Sequence, residues 1–284
     1  MDARPQDSRS RAKERVRIGV VLSAGGLRGA AHAGVLRQLV RHGVPLHSIV
    51  GVSAGAIVAA YYAAVGLDLD EMIADAGAFR GRHLLTHSLS VHCGPWLASR
   101  LHRWCGVIPD RLQQLEAANF DRLHHGVGRL GIVCHDLSTG RPRYFGTGFD
   151  QHVTLNDVVR ASASIPRLFP VVAVSAGGDE LRLTDGGVSD PVPLTFAQQP
   201  AMDATHVIVS DCRWLEKGVR PPTDTRSVWI RPLIRATGTL WSPREGLLAT
   251  VRDGEAAVSS EILRVIMGWL GTDSPPMVGS AATA

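Results

Sequence analysis

Hydrophobic residues in the first quarter of the chain fall into short β-branched runs that alternate with longer segments of helical spacing. The first run (RIGVVLS) leads into a glycine-rich loop, and the segment after it places Leu36, Leu39 and Val40 on one side. Short apolar runs bounded by glycine are typical of buried parallel strands. The pattern predicts strands at residues 17–23 and 46–51 and helices at residues 30–43 and 54–66.

This order of strand, loop, helix, strand, turn and helix forms a β–α–β–α unit. Right-handed crossovers make the consecutive strands of such a unit parallel. Loops that follow parallel strands gather at the carboxyl edge of the sheet, where α/β proteins bind their ligands. We therefore expect the glycine-rich loop (AGGLRG) and the turn at Ser53 to lie on the same edge.

Later segments continue this mixture of strands and helices after a stretch rich in His, Trp and Arg. Residues 68–128 are predicted to form a helical cap insertion within one domain at residues 17–270. Residues 1–16 are interpreted as a disordered basic tail and residues 271–284 as a flexible tail. Further strands are predicted within 129–148, 181–194, 204–212 and 226–232, a helix after the N-cap Thr154, and the last helices within 242–271.

Composition and charge narrow the function classes. The 284 residues are 45% hydrophobic, which is enough for a large core. The first 17 residues carry six basic and three acidic side chains, so they supply +3 of the net charge of +4 and leave the body nearly neutral. Nucleic-acid-binding proteins normally show a basic face with interleaved aromatic residues. Nucleic acid is therefore not an expected partner.

Cysteine spacing and the absence of long apolar runs indicate the compartment. The four cysteines form no Cys-x-x-Cys pair, which is typical of reduced thiols in a cytosolic protein. No apolar run reaches the roughly 18 residues of a membrane-spanning helix, and the charged N-terminus lacks a signal-peptide pattern. The expected location is the cytoplasm, with peripheral contact at a membrane surface through the basic tail as a further expectation.

The segment GVSAGAI is a candidate for chemistry, because Ser53 stands between Gly51 and Gly55. A serine that attacks an ester needs exposure, a base that accepts its proton and donors that hold the developing oxyanion. Flanking glycines allow a sharp strand-to-helix turn that exposes the serine, and the start of the following helix favours negative charge. The same spacing is also consistent with a plain turn of small residues.

The glycine-rich loop is a candidate for the oxyanion donors, since Gly25 and Gly26 permit backbone angles that turn neighbouring amides toward one point. A phosphate-binding loop is the alternative. However, glycines at 25, 26 and 29 do not match Gly-x-Gly-x-x-Gly, and no Lys-Ser or Lys-Thr follows. Nucleotide binding is therefore not favoured.

The residues themselves leave the catalytic base open. Among 12 histidines, His135 at a predicted strand end is the candidate for a Ser-His-Asp triad, and His32 is interpreted as packed helix surface. Asp185 in DGGVSDPVP follows another predicted strand, although an aspartate before two glycines is often only part of a turn. His83 and His87 would share a helix face and could bind zinc, but no H-E-x-x-H or carboxylate pattern supports a metal site.

Four ordered blocks resemble the patatin-like phospholipase family. They are AGGLRGAAHAGVL (24–36), GVSAGAI (51–57), ASASIPRLFPVV (161–172) and DGGVSDPVP (185–193), with HDLSTG (135–140) as a further similar segment. The resemblance implies a three-layer α/β/α fold with a mainly parallel central sheet. It also implies hydrolysis of lipid acyl esters by a Ser-Asp dyad, through an acyl-enzyme and without a cofactor or metal. By matching position, Ser53 is then the nucleophile and Asp185 the proton acceptor.

The same resemblance defines the oxyanion loop and the substrate class. The oxyanion and substrate-binding residues that it implies are Gly25, Gly26, Leu27 and Arg28. The family usually opens this loop with three glycines, and Ala24 takes the first place here. The implied partner is a lipid or other acyl ester. Two further interpretations are kept: a catalytically weak family member that acts as a regulatory partner, and a Ser-His-Asp esterase or thioesterase.

An apolar stripe in the predicted cap is the candidate for acyl-chain contact. Its members at roughly helical spacing are Trp96, Leu97, Leu101 and Trp104. Such a stripe is typical of ordinary helix packing and also of a lid over an apolar pocket. The sequence supports both interpretations.

Overall fold

A central sheet organises the computed structural model, which describes residues 15–92, 100–101, 104–149, 153–213, 224–243 and 245–271. The sheet strands in this part of the chain are β1 (Ile18–Leu22), β2 (Ser48–Val52), β3 (Arg129–Asp136), β4 (Arg141–Gly146), β5 (Val172–Ala176), β6 (Asp179–Asp185), β7 (His206–Ser210) and β8 (Ser227–Ile230). Their order across the sheet is β5-β6-β3-β2-β1-β7-β8, with β4 paired to β3.

Helices flank the sheet on both faces. Val20 and Leu22 belong to a large apolar cluster with Leu36, whereas Val21 packs on the other face with Phe196, as expected from the alternation of side chains along a strand. In the described part of the chain, the α-helices with defined bounds are α1 (Ala30–Arg41), α2 (Ala54–Ala60), α3 (Leu69–Ala78), α4 (Gly81–His92), α5 (Ile108–Glu116), α6 (Leu155–Ser162), α7 (Leu194–Ala197), α8 (Gly246–Ala256) and α9 (Ser260–Leu270). The predicted α/β class, with a central sheet between helical layers, is confirmed.

The core of the sheet is parallel. Strand β1 pairs in parallel with β2 and β7, β2 with β3, and β7 with β8. All residues of β1 and β2 are buried, which is typical of parallel strands covered on both faces. The predicted β–α–β–α unit is therefore present, and it brings the glycine-rich loop and Ser53 to the same edge.

Strand β3 pairs with two different strands, β2 and β6, along the same edge. Its residues up to Val133 pair in parallel with β2, and its residues from Cys134 pair antiparallel with β6. Since β4 takes the opposite edge of β3, β2 and β6 share one edge and approach each other from opposite directions. Their carboxyl ends meet between Val133 and Cys134, and this meeting point positions the candidate site.

Several elements differ from the sequence-based expectation. Strand β5 was not predicted, because it lies at the sheet edge and only Val174 of its residues is buried, which leaves little apolar pattern. The helix predicted to reach residue 66 is regular only to Ala60 and continues as a π-helix at Tyr61–Val65. Val40 was expected on the buried side of α1 but is 41% exposed.

The described part of the predicted cap region contains helices α3, α4 and α5, whereas residues 117–128 after α5 are not helical. Helix α3 packs against α1 and α8, and α5 packs against α6. Helix α4 contacts the loop after α6, where the Ser88 hydroxyl donates to the carbonyl of Leu168. Of the apolar stripe, Trp96 and Leu97 lie outside the described residues, while Leu101 is half-buried and Trp104 exposed. The tails predicted at 1–16 and 271–284 lie almost wholly outside the described residues.

Candidate active site

Ser53 occupies a sharp turn between β2 and α2. Its backbone angles, φ 56° and ψ −123°, are unusual for a residue with a side chain and mark a strained position. Gly55 makes the turn feasible, because a Cβ there would overlap the Leu22 carbonyl and lie 2.8 Å from the Ser23 oxygen. The glycine turn predicts an exposed serine, yet Ser53 is only 4% exposed.

Asp185 meets Ser53 directly at the point where β2 and β6 converge. The Ser53 hydroxyl donates to Asp185 Oδ2 at 2.6 Å, and the amide of Gly187 donates to Oδ1 at 2.8 Å. Burial raises the pKa of Asp185, and the hydrogen bonds from Ser53 and Gly187 lower it in part. A partly desolvated carboxylate with a raised pKa is a stronger base toward a hydroxyl than an exposed one.

The end of α6 contacts both residues. Ser162 Oγ accepts a hydrogen bond from the Ser53 amide at 2.9 Å, and the Ser164 carbonyl accepts one from the Asp185 amide at 3.1 Å. In the sequence, the surrounding block (ASASIP) is visible only as part of a family resemblance, and no pattern in it indicates a role for either serine. Their roles depend on contacts between distant segments, which no local pattern reveals.

Two amides of the glycine-rich loop have no hydrogen-bond acceptor among the described residues. The Leu27 amide donates to the Thr239 carbonyl at 2.8 Å and the Arg28 amide to the Gly25 carbonyl at 3.2 Å. Within the described part of the chain, the amides of Gly25 and Gly26 have no acceptor. Of the four loop residues predicted from sequence, these two glycines therefore offer backbone donors.

The end of the glycine-rich loop lies next to the start of α2. A Cβ on Gly29, at the end of the same loop, would lie 2.5 Å from Ala54 Cβ. Ala54 is the first residue of α2, and the first amides of a helix lack intrahelical acceptors. Ala54 was not predicted from the sequence, although the residue after a nucleophilic serine commonly supplies an oxyanion donor.

The side chain of Arg28 is turned into the protein. It is 4% exposed, and its guanidinium donates to the carbonyls of Cys212 at 2.8 Å, Thr237 at 3.1 Å and Ile234 at 3.3 Å. The predicted substrate-binding role therefore does not extend to this side chain. The guanidinium instead ties the glycine-rich loop to the segments after β7 and β8.

Among the described residues, neither His32 nor His135 forms a hydrogen bond with the Ser53 hydroxyl, which donates to Asp185. Cys134 pairs with Asp185 and His135 with Thr184, so His135 and Asp185 point to opposite faces of the sheet. His32 was expected at the helix surface but is fully buried, with its ring nitrogens at 2.8 Å from Ser210 Oγ and 2.9 Å from the Ser23 carbonyl oxygen. Burial lowers its pKa to about 4, which keeps the ring neutral.

Other candidates from the sequence have local partners. The His83 ring packs edge-on against Phe79, and the His87 ring lies near Phe169. Among the described residues, no group of three or more His, Cys, Asp or Glu side chains could hold a metal ion. Three cysteines are buried free thiols, Cys105, Cys134 and Cys212, while Cys93 lies outside the described residues. None of the described helices is long and apolar enough to span a membrane.

Comparison with known proteins gives a family match and several relatives. The family model described as patatin-like phospholipase matches residues 20–197. An uncharacterised NTE family protein of Mycobacterium tuberculosis is 26% identical over 258 residues, which cover 84% of this chain and 61% of that protein. Another, from Mycobacterium bovis, is 30% identical over 249 residues, covering 86% of this chain and 39% of that protein. The chain thus spans less than two thirds of the length of these curated relatives.

A lysophospholipase and one solved structure add to the comparison. A lysophospholipase of Aspergillus fumigatus is 42% identical over 177 residues, which cover 61% of this chain and 10% of that protein. The crystal structure of VipD from Legionella pneumophila superposes with a TM-score of 0.51 and 14% identity, covering 90% of this chain and 67% of that chain. At this identity the likeness concerns the fold alone.

Proposed function

Because the chain belongs to the patatin-like phospholipase family, we propose that it is a serine hydrolase of lipid acyl esters. In this proposal Ser53 is the nucleophile and Asp185 the only base, and the reaction passes through an acyl-enzyme. The single observation that carries the proposal is the 2.6 Å hydrogen bond from Ser53 Oγ to Asp185 Oδ2. This bond supports the proposal, because it joins the hydroxyl of a serine at a strained turn to a carboxylate oxygen that could accept its proton.

The first half of the reaction forms the acyl-enzyme. Ser53 Oγ bonds to the acyl carbon while its proton passes to Asp185 Oδ2. The electron pair of the carbonyl moves onto oxygen, and the amides of Gly25, Gly26 and Ala54 hold this oxyanion. Collapse of the tetrahedral intermediate breaks the ester bond, and the leaving alcohol takes the proton back from Asp185.

The second half returns the free enzyme with the same residues. Water attacks the acyl carbon, and Asp185 accepts one of its protons. The second tetrahedral intermediate expels Ser53 Oγ, which regains that proton, and the fatty acid leaves. The Gly187 amide keeps Oδ1 of the carboxylate in place at 2.8 Å, so Oδ2 remains aimed at the hydroxyl throughout.

Exposed apolar side chains near the site in sequence support a lipid substrate. Ile57 stands one turn after Ser53 and is 38% exposed, and Val188 follows Asp185 and is 55% exposed. Trp241 follows the Thr239 carbonyl that contacts the glycine-rich loop and is 66% exposed. Exposed apolar groups that lie together mark surfaces that bind apolar partners, and in this proposal the three side chains form such a surface around Ser53. The lysophospholipase relative makes single-chain phospholipids the first substrates to test.

The cap interpretation of residues 68–128, and contact with a membrane surface, belong to the same proposal. Leu85 and Leu89 lie one turn apart on α4 and are 58% and 54% exposed. Helix α4 touches the loop after α6 through Ser88, close in sequence to Ser164. An apolar helix face beside the site is suited to receive an acyl chain.

A panel of acyl esters tests the proposal. It comprises nitrophenyl butyrate and laurate, a lysophosphatidylcholine and a diacyl phosphatidylcholine, each assayed with wild type and Ser53→Ala. We expect hydrolysis that disappears in Ser53→Ala, together with trapping of an acyl group on Ser53 by mass spectrometry. Equal hydrolysis by both proteins would reject the mechanism, and complete inactivity on all substrates would favour the regulatory interpretation.

A further inference from the structure

The hydroxyl of Ser162 occupies a place where a backbone hydrogen bond of the sheet would normally lie. Ser162 is fully buried, and its Oγ accepts from the Ser53 amide at 2.9 Å and donates to the Val133 carbonyl at 2.6 Å. We propose that Ser162 is a positioning residue that holds the strained backbone of the nucleophile and spaces the end of β2 so that Asp185 reaches it.

The relay through Ser162 replaces the next bond of the β2–β3 ladder. The register pairs Val52 with Val133, and in a continuing parallel pair the Ser53 amide would bond directly to the Val133 carbonyl. Insertion of a hydroxyl separates the two strands at this point. Strand β6 begins to pair with β3 one residue later, at Cys134, so the separation falls where two strand ends must share one edge.

Ser53 depends on such a support because of its backbone conformation. A positive φ on a residue with a side chain persists only where the surroundings fix it. Ser162 lies at the last position of α6, and this helix is anchored in the core by the buried side chains of Leu155, Val158 and Val159. The hydroxyl thus connects the nucleophile to a rigid element.

The same helix end holds the other half of the site. The Ser164 carbonyl accepts the Asp185 amide at 3.1 Å and the Thr184 hydroxyl at 2.7 Å. One segment therefore sets the backbones of Ser53, which follows β2, and of Asp185, which ends β6, although these two strands run in opposite directions. Because reaction rates depend steeply on the placement of the reacting atoms, loss of the Ser162 hydroxyl should lower kcat and leave substrate binding nearly unchanged.

Thr147 offers a matched control. Its Oγ1 also accepts from an amide, that of Leu130 at 3.0 Å, and donates to a carbonyl, that of Phe120 at 2.9 Å. Leu130 lies on β3 near the end away from the site, so Thr147→Val removes the same kind of relay without touching Ser53. Comparison with Ser162→Ala separates positioning from general stability.

The experiment measures kcat and KM on nitrophenyl butyrate, with melting temperatures for each variant. We expect kcat to fall about 10- to 100-fold in Ser162→Ala with KM within about threefold of wild type, and both constants to stay within about threefold in Thr147→Val. Ser162→Cys keeps most of the side-chain volume but is a poor hydrogen-bonding group. It should show the same fall in kcat if the alanine variant does not fold.

Two results would overturn the positioning role: wild-type kcat in a folded Ser162 variant, or an equal fall of kcat in Thr147→Val. The inference rests on the proposed function. Hydrolysis by wild type and by Ser53→Ala is therefore measured in the same experiment as the Ser162 and Thr147 variants. If wild type shows no Ser53-dependent hydrolysis, the proposed function fails. The role of Ser162 is then decided by the rate at which a fluorophosphonate labels Ser53 in wild type and in the Ser162 variants.

Discussion

Replacing Gly26 by alanine should remove most of the turnover while leaving the protein folded. Gly26 has a φ of +57°, which costs a residue with a Cβ about 1–2 kcal/mol. The new Cβ would also overlap the Thr239 carbonyl oxygen and lie 2.8 Å from Thr239 Cγ2. Because this carbonyl accepts the Leu27 amide at 2.8 Å, the loop must shift to relieve the collision.

The size of the effect follows from what the shift disturbs. The amides of Gly25 and Gly26 are the proposed oxyanion donors, and loss of one such donor lowers kcat by about 10²- to 10³-fold, or about 2.7–4 kcal/mol of transition-state stabilisation. KM should change little, because the ground-state carbonyl gains less from these donors than the oxyanion does.

Gly43 provides the control for backbone strain. It has a φ of +71° at the end of α1, and a Cβ there would meet no atom within 4 Å. Gly43→Ala and Gly26→Ala should both lose about 1 kcal/mol or more of unfolding free energy in urea, whereas only Gly26→Ala should lose kcat on nitrophenyl butyrate. A folded Gly26→Ala variant with kcat within about threefold of wild type, or an equal loss in Gly43→Ala, would refute the reasoning.

Asp185→Asn should abolish nearly all hydrolysis in steady-state assays. The hydrolysis rate of His135→Ala should stay within about tenfold of wild type, and a loss of about 10³-fold in a folded His135→Ala variant would favour a triad. Because burial raises the pKa of Asp185, kcat/KM should fall on the acid side at a higher pH than for a free aspartate, and a pH profile with an ordinary aspartate limb would contradict this. Because the pKa of Asp185 is raised in the folded protein, ionisation of this carboxyl destabilises the fold as the pH rises through that pKa. Asp185→Asn should therefore melt at a higher temperature than wild type near neutral pH. The difference in melting temperature should vanish below the pKa of an unfolded aspartate. Trp104→Ala, at a side chain that is 60% exposed, should slow hydrolysis of nitrophenyl laurate more than of the butyrate; an equal effect on both esters would argue against the cap.

Local sequence patterns were sufficient for the elements and for the edge that carries the site. Short apolar runs, glycine stops and turn residues act through the backbone of a few neighbouring residues, so β1, α1, β2 and α2 could be predicted within a few positions. The Gly-x-Ser-x-Gly turn identified Ser53 as a candidate. The choice of Asp185 over His135 came only from the order of four blocks that resemble one family, since the residues themselves left both open.

Tertiary structure alone decided how the site is assembled. The Ser53–Asp185 hydrogen bond joins residues 132 positions apart, and the Ser53–Ser162 bond joins residues 109 positions apart. Neither contact has a local signal, because each depends on β2 and β6 meeting on one edge of β3. The same holds for the burial of Arg28 and His32, whose polar groups bond to carbonyls and hydroxyls of distant segments. A buried polar group must find a partner, and which partner it finds is settled only when the whole sheet has brought those segments together.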